Sequence, residues 1–93
     1  MTIRVVVNGA AGKMGREVVK AVSEAGDMVL VGASDQQAIL EDPGSLAGIG
    51  PIGVRIESPL SGVLASSKAH VMVDFTEPAS ALHNVYTALL LGL

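Results

Sequence analysis

Three short apolar runs and two amphipathic stretches organise the chain. The first run, Ile3-Arg4-Val5-Val6-Val7-Asn8, is rich in β-branched residues, does not alternate with polar ones and stops at Gly9. That is the pattern of a strand buried on both faces, as strands of parallel sheets are. Met14, Val18, Ala21, Val22 and Ala25 then recur at i, i+4, i+7, i+8 and i+11, opposite Arg16, Glu17, Lys20 and Glu24. This spacing predicts an amphipathic helix of about three turns, stopped by Gly26. Residues 28–33 form the second apolar run, closed by Ser34-Asp35, so a strand, a glycine turn, a helix and a strand follow one another as a βαβ unit. Over residues 36–53 periodicity fails, and Pro43, Gly44, Gly48, Gly50, Pro51 and Gly53 punctuate the stretch. A loop of that length in a compact domain is usually functional or mobile. Val54-Arg55-Ile56 predicts a short strand, Leu60, Val63 and Leu64 a brief helix, and Val71-Met72-Val73 a third buried run. Leu82, Val85, Tyr86, Leu89, Leu90 and Leu93 repeat with helical spacing after Pro78, a residue favoured in a first helical turn.

Composition narrows what such a chain can be. With 93 residues it is one domain or part of one. A hydrophobic fraction of 49% excludes a disordered tail, and no apolar stretch reaches the length of a membrane span. The amino terminus runs straight into the first strand, without the basic and apolar regions of a secretory signal. No cysteine is present, which removes disulfides, thiolate metal sites and thiol nucleophiles and fits a reducing compartment. A net charge of −3 and only two aromatic residues, Phe75 and Tyr86, oppose nucleic acid as a partner.

The turn Gly9-Ala10-Ala11-Gly12-Lys13-Met14-Gly15 carries the sharpest chemistry, because it ends the first strand and opens the first helix. A dinucleotide pyrophosphate needs bare backbone N–H groups and the positive end of a helix, and a Cβ at the point of closest approach would block it. Gly9 can make the tight turn, Gly12 the close approach and Gly15 the packing of helix on strand. A glycine triple alone is a weak signal, since such turns also serve packing only, but its position after a strand and before a helix makes it a dinucleotide candidate. The residues oppose a Walker A loop, because Lys13 is not followed by Ser or Thr and lies too early in the motif. The expected architecture is therefore α/β: a Rossmann-type three-layer fold on a parallel sheet of about four strands, in the order 3-2-1-4, seen only in part over residues 1–93.

Asp35 closes the second predicted strand, where a carboxylate accepts hydrogen bonds from the adenosine ribose; the alternative is a solvated turn aspartate. Gln36 and Gln37 are uncharged, and Lys13 is the nearby cation able to reach a 2′-phosphate, so the choice between NADH and NADPH stays open. Asp74-Phe75-Thr76 ends the last predicted strand and faces the same crevice if the sheet is parallel. Thr76 can instead cap the following helix, and Phe75 is either core or a wall for the nicotinamide. His70 and His83 lack a partner acid or nucleophile at a useful spacing and read as surface histidines. No metal-ligating pattern occurs.

The segments 5–16, Pro43-Gly44-Ser45-Leu46-Ala47-Gly48 and Val73-Asp74-Phe75-Thr76-Glu77-Pro78 together resemble the amino-terminal portion of the dihydrodipicolinate reductases, also called 4-hydroxy-tetrahydrodipicolinate reductases. The resemblance covers nearly the whole chain. It implies a cytoplasmic or plastid oxidoreductase of the diaminopimelate route to lysine, with NAD(P)H as hydride donor and a cyclic dicarboxylate as substrate, tetrameric when complete. Carried over by position, it places pyrophosphate contacts on Gly9, Ala10, Ala11, Gly12, Lys13 and Met14 and the ribose-binding acid on Asp35. It places the nicotinamide side on Asp74, Phe75 and Thr76. Where the family often has a second basic residue after the ribose acid, this chain has Gln36. The family's G-T-T-G turn and its substrate domain, with a histidine pair and a lysine, match nothing here, so no catalytic residue is assigned. Alone, the chain is expected to bind cofactor without turnover.

Two other readings remain at this point. A different oxidoreductase with the same glycine spacing would need a nucleophilic cysteine or a Tyr-x-x-x-Lys pair, and neither is present. A non-catalytic nucleotide-binding or structural module needs neither, and cofactor titration separates it from the reductase reading.

Overall fold

The computed structural model describes residues 2–74; the helix predicted after Pro78, with His83, lies outside them. Strands β1 (Ile3–Asn8), β2 (Met28–Ser34), β3 (Ile56–Glu57) and β4 (Val71–Asp74) form one sheet in the order β3-β2-β1-β4, and every neighbouring pair is parallel. This is the order expected from the sequence. Helices α1 (Lys13–Glu24), α2 (Pro43–Leu46) and α3 (Leu60–Ser67) complete the described part.

The consecutive valines of β1 serve two cores, because successive side chains of a strand point to opposite faces. Val5 and Val7 pack with Ala10, Val19, Val22, Leu30, Ala33 and Ile56 on the α1 side. Val6 packs with Leu60, Val63, Leu64 and Ala69 on the α3 side. An alternating strand could not fill both layers.

Helix α1 forms where expected, but its buried face differs. Gly15, Val19 and Val22 are buried, Val18 is only half-buried, and Met14 and Ala21 are exposed. The cause is the turn before it. A Cβ on Gly15 would lie 2.0 Å from the Gly9 carbonyl oxygen, so this glycine is the point at which the helix rests on the backbone of the turn. That contact rotates the helix by about one position from the face its apolar residues suggest and carries Met14 to the surface.

The unpatterned stretch over residues 36–53 also departs from expectation. It contains the single turn α2, and Ala38, Leu46, Ala47 and Ile52 pack against the α1-side core. It is a cover for that core. The second and third apolar runs are less enclosed than predicted, since Met28, Val29 and Val71, at the amino ends of β2 and β4, are exposed among the described residues.

Candidate functional site

In a parallel sheet all carboxyl ends lie at one edge, and there the glycine turn, Asp35 and Asp74 meet. Gly9, with φ of 85°, adopts the left-handed conformation that lets the chain reverse out of β1. Its N–H and that of Ala10 both donate to the Ser34 carbonyl, at 2.7 and 3.2 Å, which docks the turn on the end of β2. The Gly12 N–H donates back to the Gly9 carbonyl at 3.1 Å. The Ala11 N–H donates to Oδ2 of Asp35 at 3.0 Å.

The first four N–H groups of the turn thus have acceptors within the fold. What remains for an anion is the start of α1, where Gly12 is the N-cap, no side chain caps the helix, and helical geometry leaves the N–H groups of Lys13, Met14 and Gly15 without intrahelical acceptors. Gly12 itself is exposed and extended, with φ of −76° and ψ of 168°, a conformation open to any residue. A Cβ there would come no closer than 3.4 Å to the Gly9 oxygen, an ordinary contact. The two glycines therefore differ in kind. Gly15 is required by packing, whereas nothing in the described fold requires a glycine at position 12.

Asp35 is half-buried, and each of its oxygens is engaged. Oδ2 takes the Ala11 N–H, and Oδ1 takes the N–H of Gln37 at 2.9 Å, a local turn of the kind aspartates favour. The carboxylate is thereby held against the glycine turn, with its remaining lone pairs available to a hydroxyl donor. Asp74 ends β4 beside the buried Asn8, whose Nδ2 donates to Asp74 Oδ1 at 3.3 Å. This pairing, not apparent from the sequence, links β1 and β4 at the end of the sheet where the turn sits. Phe75 and Thr76 lie outside the described residues.

His70 is exposed, as read, and has a structural part. Its Nδ1 accepts the Arg4 N–H at 3.1 Å, and its own N–H donates to the Arg4 carbonyl at 2.8 Å. The Arg4 guanidinium donates to the carbonyls of Ser67 and Lys68, placing a cation at the carboxyl end of α3. Among the described residues no cluster of His, Asp and Glu could hold a metal ion, and no helix is long and apolar enough to cross a membrane.

The residue that sequence reasoning missed is Asp42. Its carboxylate accepts the N–H groups of Gly44, Ser45, Ile52 and Gly53, so one side chain caps α2 and closes the loop behind it. Burial by itself would raise the pKa of this carboxyl, but the four N–H donors outweigh it and hold it below the usual carboxylate range. Asp followed by Pro at a helix start was the signal present in the sequence.

The comparisons with known proteins agree with this geometry. The family model described as dihydrodipicolinate reductase, N-terminus, matches residues 3–93. The 4-hydroxy-tetrahydrodipicolinate reductase of Moorella thermoacetica is 49% identical over 92 residues, which cover 99% of this chain and 34% of that protein. The protein of the same name from Gloeobacter violaceus is 52% identical over 97 residues, covering 100% of this chain and 36% of its own length. Among solved structures, the dipicolinate-bound dihydrodipicolinate reductase from Paenisporosarcina sp. TG-14 superposes with a TM-score of 0.80 at 28% identity, covering 100% of this chain and 36% of that one. The chain spans about a third of the length of the curated relatives it matches.

Proposed function

Because the chain belongs to the dihydrodipicolinate reductase family, matching its amino-terminal part, we propose that it binds NAD(P)H as the cofactor half of a reductase acting on a cyclic dicarboxylate in the diaminopimelate route to lysine. The observation that carries this reading is Gly12. It is exposed, in an ordinary backbone conformation and with room for a side chain, so packing leaves its lack of a Cβ unexplained. A pyrophosphate at the uncapped start of α1 explains it, since a side chain there would stand between the phosphate and the N–H groups.

In this reading Lys13 and Met14 offer their N–H groups to the pyrophosphate, and the Lys13 ammonium adds charge. Gly9, Ala10, Ala11 and Gly12 shape the turn, and Asp35 accepts from the ribose. Asp74, with Phe75 and Thr76 following it, borders the nicotinamide end. The dinucleotide, when bound, supplies the hydride. Groups that hold and protonate the substrate belong to the part of the relatives that this chain does not span, as does any tetrameric assembly. Cytoplasmic location follows from the same biosynthetic role.

The test is a titration read by nicotinamide fluorescence, since the chain has no tryptophan to interfere. Saturable binding of NADH or NADPH is expected, together with its loss in Gly12→Val at an unchanged melting temperature. Equal binding by the parent and Gly12→Val, or no binding by the parent, would refute the reading.

A further inference from the structure

We propose that Met14 is a site of reversible oxidation that switches off the dinucleotide site, a proposal that rests on the cofactor reading above. Packing makes no use of this side chain. The seating of Gly15 on the turn faces Met14 outward, where it is 57% exposed and belongs to neither core. It is the second residue of α1, after the N-cap Gly12 and Lys13. Side chains of a helix lean toward its amino terminus, so the patch each one covers lies over the turn before it. For Met14 that patch is the uncapped start of α1, with the N–H groups that would take the pyrophosphate.

Its sulfur is also the group at this site most open to a mild oxidant. The rest of the turn is glycine, alanine and lysine, and Asp35 is a carboxylate; none of these reacts with a hydroperoxide as a thioether does. Hydrogen peroxide transfers one oxygen to the sulfur. The O–O bond breaks, an S–O bond forms, sulfur gives up two electrons, and the other oxygen leaves as water with the proton of the transferred one. The product carries a polar oxygen that only accepts hydrogen bonds. Phosphate oxygens also only accept, so both compete for the same N–H groups. Loss of one charge-assisted hydrogen bond weakens binding about tenfold. A bound dinucleotide in turn covers the sulfur, so cofactor and oxidant exclude one another.

Met28 supplies an internal control. It is 38% exposed and begins β2, at the amino edge of the parallel sheet, the edge opposite the glycine turn. Met72 is half-buried against the α3-side core.

The test treats the chain with hydrogen peroxide, removes the peroxide, locates the sulfoxides by peptide mass and titrates NADH and NADPH by nicotinamide fluorescence. Each protein is compared with itself before and after treatment. The parent is expected to lose about tenfold in affinity at an unchanged melting temperature and to regain it with methionine sulfoxide reductase. Met28→Leu is expected to lose the same factor and Met14→Leu to lose none. Treated in the presence of whichever dinucleotide binds, the parent should oxidise more slowly at Met14 and at the same rate at Met28. A parent that carries the Met14 sulfoxide and binds as before would overturn the proposal, as would an equal loss in Met14→Leu or equal rates at Met14 with and without dinucleotide. So would a loss of affinity that comes with unfolding, which would trace it to the core at Met72. In all of these the cofactor reading stands. An untreated parent that binds neither dinucleotide would instead overturn that reading, and the proposal with it.

Discussion

Gly15→Ala is expected to unfold the domain, while Gly12→Ala, three residues earlier in the same turn, leaves it folded. The added methyl at position 15 would sit 2.0 Å from the Gly9 oxygen, 2.8 Å from its carbonyl carbon and 2.9 Å from the Ala10 Cα. All three are backbone atoms, so no side-chain rotation relieves the overlap; either the helix lifts from the turn or the turn leaves β2. Lifting the helix would draw Val19 and Val22 from the core they share with Val5, Val7 and Leu30. Overpacking in a core typically costs about 1–3 kcal/mol, and a clash with rigid backbone lies at or beyond the top of that range. Small domains have only about 5–15 kcal/mol in total, so the variant should melt far below the parent or be unfolded at room temperature. Gly12→Ala meets only an ordinary contact of 3.4 Å and should melt within a few degrees of the parent while losing affinity for dinucleotide. Thermal melts by circular dichroism decide the first half. A Gly15→Ala protein as stable as the parent would contradict the contact on which the setting of α1 depends.

Asp42→Ala has the second largest expected effect, although the residue is remote from the glycine turn in sequence. Its removal leaves the N–H groups of Gly44, Ser45, Ile52 and Gly53 without their acceptor and releases the segment that brings Leu46, Ala47 and Ile52 onto the core. Water can reach part of this site, so the expected loss is about 2–3 kcal/mol rather than the sum of four buried hydrogen bonds. Asp42→Asn keeps one acceptor oxygen and should recover part of it. The same carboxylate makes stability depend on acid. Because the folded state lowers its pKa below the unfolded value, its contribution is complete above that unfolded value, about pH 4, and declines as the pH falls through the lower folded one. Urea midpoints measured from pH 6 downward should therefore drop below about pH 4 more steeply in the parent than in Asp42→Asn. Parallel acid profiles would show that the loop is held by something else.

Both predictions turn on contacts that local pattern does not encode. Periodicity located α1 because its residues recur at helical spacing, but the direction in which the helix faces came from the contact of Gly15 with the Gly9 oxygen. Counting apolar side chains therefore put Met14 inside and left Val19 out. The stretch over residues 36–53 carried no period, so its packing role was invisible; the donors to Asp42 from Ile52 and Gly53 lie ten and eleven positions away. Asp35 was legible as a candidate from its place at the end of a predicted strand. The Ala11 N–H that immobilises it is 24 positions earlier, and nothing in the intervening residues marks the pair.

By itself, the sequence determined the strands, the helix that follows the glycine turn, the order of the sheet and the family. Each is written in short-range spacing: unbroken valines for a strand buried on two faces, and glycines where backbone must come close to backbone. The tertiary structure alone decided which glycine packing requires and which it does not, how α1 is turned, what closes the long loop, and how firmly Asp35 is held. Those depend on where distant backbone N–H and carbonyl groups arrive in space, and their position follows from the whole sheet having formed.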